Sequence, residues 1–438
     1  MDQQAIRRAD RLARLRTLDR RLTVASDLPL PTLRAPAGGG AAAGARAAAL
    51  AHALGGSVAA HAGGSIVVVE RTVRLPLDLA SLVGLPLGLE ATRPLVLLDT
   101  ETTGLGTAAG TLAFLVGLGW WTDETLVVRQ LWLPDHAAEP ALLSALEALL
   151  PPTTCLVTYN GRSFDWPLLV TRFRLHRRAP PVLAGHLDLL PLARQLWRHR
   201  LTDARLSTVE AGVAGVARHD DLPGALVPER YFAYLHGAGP GPLRAIGAHN
   251  REDVVSMGRL LQVLAQELAG PDGRRAAHPG DVAALARLLR RHGRRNEAAA
   301  CYDDALEACQ RPDAPRSVDE AAIALERARL LARVGRRPEA RMAWQAIAQG
   351  SGRAAIVALV ALAKDHEHHR RDLVSALAAA QAAERLLARR RAVGALMPDM
   401  EQDLPRRLRR LRRRLAGVQP PMMAVSAASV RSTSASVL

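Results

Sequence analysis

Over the first two-thirds of the chain, apolar residues fall into short runs bounded by polar turns. Over the last third they recur at helical spacing. Residues 95–99, 112–121 and 125–133 are apolar at strand length, and the last two runs flank Thr122-Asp123-Glu124, which predicts a hairpin. Further strands are predicted over 65–69 and 154–159. Helices are predicted over 45–54, 138–150, 164 to about 175, and 254–264. Three successive strands followed by helix–strand–helix imply an α/β domain, a mixed sheet flanked by helices.

After residue 270 the texture changes. A Gly/Pro-rich segment, 270–280, reads as a linker, and Ala-rich helices without strand patterning follow. The phrase Leu…Gly-Arg-Arg-x-Glu-Ala occurs around Gly293 and again around Gly335, 42 residues later, with a more diverged unit over 354–387. Glycine at that place suits the turn between paired helices. The segment resembles tetratricopeptide-type helical repeats; an ordinary Ala-rich bundle is the alternative. Near the end, seven arginines between Arg406 and Arg414 surround Leu408, Leu411 and Leu415, a one-sided leucine stripe. Such a helix either docks its leucines and solvates the rest, or contacts nucleic acid. The expected organisation is a basic helix and Pro/Gly/Ala linker over 1–44, an α/β domain over 45–269, the linker over 270–280, an all-α helical-repeat domain over 281–415 and a disordered tail over 416–438.

Charge adds a partner class. The 438 residues carry a net charge of +16, and residues 271–438 hold 31 basic against 18 acidic residues. Nearly all of the positive charge is arginine. A basic module beside a nearly balanced one suits a polyanion such as nucleic acid. No apolar run reaches the roughly 18 residues that span a bilayer, so no membrane partner is expected. The Arg-rich N-terminus lacks the apolar stretch of a signal peptide. Three cysteines without metal-type spacing fit a reducing compartment, and the cytoplasm is expected.

The candidate chemistry begins at Asp99-Thr100-Glu101-Thr102-Thr103-Gly104, directly after Leu95–Leu98. Alternation along a strand sends Asp99 and Glu101 to the same face. Two carboxylates about 4 Å apart repel by roughly 4 kcal/mol at a surface-like dielectric, and a hard divalent cation relieves that repulsion. Two solvated acids in a turn are the plainer alternative. Asp165, in Asn160-Gly161-Arg162-Ser163-Phe164-Asp165, sits at a helix start, where an acid also serves as a cap. His249 and Asp253 stand at i and i+4, on one helix face. Each piece alone is weak, but the ordered set on strand, helix start and helix is specific.

With these motifs, residues 93–264 resemble the ribonuclease-H-like DEDD exonuclease superfamily, and more closely its YprB-like ribonuclease-H-like domain family. The His186-Leu187-Asp188-Leu189-Leu190, Leu196–Leu201, Asp221-Leu222-Pro223-Gly224 and His249-Asn250 segments add to the resemblance, and the family also tends to carry C-terminal repeats. The resemblance implies that Asp99, Glu101, Asp165 and Asp253 ligate two Mg²⁺ or Mn²⁺ ions and that His249 is the general base. Three residues separate His249 from Asp253; members with a histidine base usually have four, and three is the interval of the tyrosine branch. The implied activity is metal-dependent 3′→5′ exonucleolysis of single-stranded nucleic acid. A non-catalytic nucleic-acid-binding scaffold and a structure-specific endonuclease are the alternatives. A protein partner is expected on the helical repeats. Asp188 reads first as a helix cap and second as an extra acid. His366-Glu367-His368-His369 reads as a solvated helix end, with a metal site as the lesser alternative. Of the adjacent Trp120 and Trp121, only one is expected to face the core.

Overall fold

The computed structural model describes residues 40–104, 110–218 and 222–417. The basic helix expected over 1–22, most of the linker after it, and the tail from 418 lie outside these residues. In chain order the elements are α1 (Gly40–Leu54), β1 (Ser57–His61), β2 (Gly64–Arg74), α2 (Leu79–Val83), β3 (Leu95–Thr102), β4 (Ala113–Thr122), β5 (Thr125–Trp132), α3 (Glu139–Leu149), β6 (Cys155–Thr158) and α4 (Asp165–Leu175). Next come β7 (Gly185–Asp188), α5 (Leu189–Leu196), α6 (Leu206–Val209), α7 (Leu226–Leu235) and the long α8 (Leu243–Val263).

Seven strands form one mixed sheet in the order β1-β2-β5-β4-β3-β6-β7. β3 is its hinge. It runs antiparallel to β4 and parallel to β6, with Leu97 level with Val157. Its side chains alternate between two cores. Leu95 and Leu97 join one that includes Val254, Met257 and Leu261 of α8, and Val96 and Leu98 join another with Leu168 and Phe173 of α4. α8 lies across the first face because β4 presents glycine there. A Cβ on Gly119 would stand 2.6 Å from Val254 Cγ1, and one on Gly117 would stand 2.3 Å from the Asn250 side chain. The two tryptophans divide as alternation requires. Trp121 packs on the first core and donates to the Leu75 carbonyl at 2.7 Å, whereas Trp120 lies against the second beneath the Arg129 guanidinium.

The segment expected as a linker contains a helix, α9 (Pro271–Ala276). Arg274 ties it to Asp304 at 2.6 Å, and one apolar core continues from the sheet into the helices beyond. Helical pairs follow: α10 (Pro279–Arg291) with α11 (Arg295–Cys309), α12 (Glu320–Arg333) with α13 (Arg337–Ala348), and α14 (Arg353–Asp365) with α15 (Leu373–Ala392). Gly293 and Gly335 turn the first two pairs at φ +78° and +89°, a region that costs glycine nothing.

The last helix, α16 (Pro398–Ala416), buries Leu404, Leu408 and Leu411 as a stripe. The arginines around that stripe were expected in solvent or on nucleic acid, but three of them converge on Glu367. Arg407 reaches it at 3.1 Å, Arg410 at 2.7 Å and Arg414 at 2.8 Å, with the Glu367 side chain fully buried. Within the His366–His369 segment Glu367 alone is buried, while His368 and His369 lie exposed at the helix end, as expected. A buried lone carboxylate costs several kcal/mol, and this cluster of arginines offsets that cost. Among the described residues, no helix is long and apolar enough to cross a membrane.

Candidate metal-binding acid cluster

The five expected site residues gather at the C-terminal end of β3, brought there by three elements. Asp99 and Glu101 leave the strand on the face covered by α8. His249 and Asp253 come from one face of α8, and the helix begins six residues before His249, earlier than its apolar pattern indicated. His249 Nε2 lies 3.7 Å from Asp253 Oδ2 and 4.0 Å from Glu101 Oε1. Asp165 opens α4 on the other side of the strand and is 6% exposed; the Thr100 hydroxyl donates to its Oδ1 at 2.5 Å. Thus Thr100, which points away from Asp99, ties the third carboxylate to the strand.

The electrostatics follow from burial and crowding. The Asp99 carboxyl is pushed well above the carboxylate range by loss of water and by the negative charges of Asp253, Asp165 and Glu101, against one opposing hydrogen bond from Asn250. Burial lifts Asp165 to about 6, although the Thr100 hydrogen bond pulls the other way. Carboxylates in such surroundings favour protonation unless positive charge is supplied.

The motifs missed two parts of this surround. First, Arg218, from the loop after α6, places its guanidinium 2.5 Å from Asp253 Oδ1 and 2.9 Å from the buried Glu210. Burial alone would ease off its proton, but those two acids hold the guanidinium charged above its ordinary range. The residue is 35 positions from Asp253 along the chain, and one arginine among many carries no signal.

Second, a buried amide chain holds Asp99. Gln130 on β5 donates to Asn250 Oδ1 at 2.8 Å and to the Gly247 carbonyl at 2.8 Å, and Asn250 donates to Asp99 Oδ2 at 2.8 Å. Gln130 is level with Gly117, and Gly117 with Asp99, so the chain crosses three strands over the one residue that leaves room for it. A polar Gln inside an apolar strand was the available clue.

Asp188 is a helix cap, as read first. It accepts from the Leu190 amide at 3.0 Å at the start of α5 and also from the amides of Asn160 and Arg162, so it shapes the turn that leads to Asp165. Asp221 lies outside the described residues.

A second titratable group sits at the joint between sheet domain and helical pairs. His199, His278 and Asp281 bring one ligand atom each within 4.8 Å of one another, the group among the described residues that does so. Arg200 already grips both oxygens of Asp281 at 3.1 and 2.7 Å, and His278 Nδ1 accepts from the Gly280 amide at 3.1 Å. Burial lowers His278 to about 4 and raises Asp281 to about 6. With its carboxylate neutralised by arginine and one imidazole capping α10, the trio is a structural joint.

Comparison with known proteins agrees with this architecture. A family model described as the RNase_H superfamily matches residues 96–265, which spans β3 through α8 and supports a nuclease-type function. YprB of Bacillus subtilis (strain 168) is 32% identical over 286 residues, covering 65% of this chain and 67% of that protein. Among solved structures, exonuclease I aligns over 40% of this chain with a TM-score of 0.27 and 16% identity, and the alignment spans about two-fifths (41%) of that chain. With about a third of the aligned residues identical across two-thirds of YprB, and a ribonuclease-H superfamily domain over 96–265, the chain belongs to the YprB-like family.

Proposed function

We propose that this protein is a metal-dependent exonuclease that shortens single-stranded nucleic acid from its 3′ end. The observation that carries the reading is the crowding of Glu101, Asp165 and Asp253 around Asp99, which drives the Asp99 carboxyl toward protonation. All-oxygen donors of that kind fit Mg²⁺ or Mn²⁺ rather than softer metals. The four carboxylates would hold the ions, which when bound relieve charge on the phosphoryl and leaving 3′ oxygens.

The chain supplies the rest. Asn250 pins one oxygen of Asp99, and the Thr100 hydroxyl sets the angle of Asp165. His249 Nε2, facing Glu101 and Asp253, takes the proton of the water that attacks phosphorus. A proton from solvent completes the leaving 3′ hydroxyl. The stacked helical pairs are read as a tetratricopeptide-like surface for a protein partner.

The test is digestion of 3′- and 5′-labelled DNA and RNA oligonucleotides with Mn²⁺, with and without chelator. The expected result is stepwise shortening from the 3′ end that chelator and Asp99→Ala each abolish. Unchanged cleavage by either would overturn the proposal. Cutting of a circular single strand would identify an endonuclease instead.

A further inference from the structure

A cavity of about 610 Å³ opens past the end of β6, lined by Tyr159, Asn160, Arg194, Arg198, Arg205 and apolar side chains that include Leu190 and Leu206. It lies within the roughly 300–1,000 Å³ range of small-ligand sites. Its place is set by topology. β6 runs parallel to β3 with Val157 level with Leu97; Tyr159 follows directly after the end of β6, and Asp99 lies two residues beyond Leu97 on β3. The turn from Asn160 to Phe164 then separates the cavity from Asp165, and Asp188 pins that turn by accepting from the Asn160 and Arg162 amides. Cavity and acid cluster are two sides of one turn.

The lining has the chemistry of a nucleotide site. Arg194 in the last turn of α5 and Arg198 just beyond it are exposed, and among the described residues neither is joined to a carboxylate. Asp203 is the one acid in the lining, 3.9 Å from Arg205, which leaves the walls with net positive charge. Guanidinium groups suit phosphate oxygens, which they bind through paired N–H donors. The Tyr159 ring is held by its hydroxyl, which donates to the Ala204 carbonyl at 2.7 Å. An anchored ring above aliphatic side chains suits a base, and arginines at the rim suit its phosphate.

We propose that this cavity binds one nucleotide of the single strand whose scissile phosphate lies at the acid cluster, with Arg194 and Arg198 on the phosphate. The inference rests on the nuclease reading of the neighbouring site. It names a strand rather than a free nucleotide because the cavity adjoins that site across a single turn.

The experiment is a titration of the full-length protein with a labelled single-stranded oligonucleotide in chelator, so that binding is read without turnover. Arg194→Glu with Arg198→Glu should weaken binding at least about tenfold, and the neutral Arg194→Gln, Arg198→Gln pair by less. Each lost phosphate contact removes about 0.7 from the slope of log affinity against log salt, so the double reversal should lower it by about 1.4. A mononucleotide 5′-phosphate should compete weakly and inorganic phosphate hardly at all. Unchanged affinity and salt slope in the reversal variant, with an unaltered melting profile, would overturn the proposal. So would displacement of the strand by inorganic phosphate at the same concentration as the mononucleotide. Because no cleavage is involved, loss of nuclease activity with retained Arg-dependent binding still supports the cavity, while arginine-independent binding by an active nuclease defeats it alone.

Discussion

Asp165→Asn should stabilise the metal-free protein. Asp165 is buried and its carboxyl titrates at about 6 in the folded chain, against about 3.9 in an unfolded one. The folded value is raised, so folding disfavours the ionised form. The penalty is absent below both values, grows as pH rises from about 4 to about 6 and is complete above that. Two units amount to about 3 kcal/mol at about pH 7.5 and about half of that at about pH 5. Asparagine keeps the Oδ1 that accepts from Thr100, while removing one of the charges that raise Asp99. In urea with chelator, the variant's midpoint should exceed the native one by about 1 M at about pH 7.5, given a slope of about 2–3 kcal/mol/M. The gain should shrink as pH falls. Mn²⁺ should restore the native protein toward the variant's stability and leave the variant nearly unmoved. A variant that unfolds at lower urea, or whose gain is the same at both pH values, would refute the account of the site.

Other expectations follow from the same geometry. Arg218→Met should cost about 3 kcal/mol in chelator, since it strips a buried cation from Asp253 and Glu210, and added Mn²⁺ should recover part of the loss in a melting assay. Gln130→Leu should lower metal affinity or activity about 10–100-fold by freeing the Asn250 amide to rotate. Gln130→Glu should be worse, because an acceptor then faces Asn250 Oδ1; metal titrations of the two variants provide the check. Gly117→Ala should cost about 1–3 kcal/mol by pressing a methyl into Asn250, measurable as a lower urea midpoint together with weaker metal binding.

Local patterning was enough to reveal much of this protein. The strands on either side of Asp99, the helix start at Asp165, the i, i+4 pairing of His249 with Asp253 and the repeated Gly-Arg-Arg turns all depend on neighbours within a few residues. Period and spacing record such neighbours. Among the elements that patterning missed, β1 and β7 carry too few residues to establish a period.

Other features depend on partners that the chain brings together from far apart. Gln130 contacts Asn250 across 120 residues, Arg218 contacts Asp253 across 35, and Arg407, Arg410 and Arg414 find Glu367 40 to 47 residues back. Nothing in the order of residues marks which arginine will meet which acid. Burial selects the pairs, because a charge or amide withdrawn from water must find a partner wherever the packed backbone happens to place one. The acids of the site could therefore be read as a list from the chain, whereas the amide and guanidinium that hold them emerged only once the sheet and α8 had closed over them.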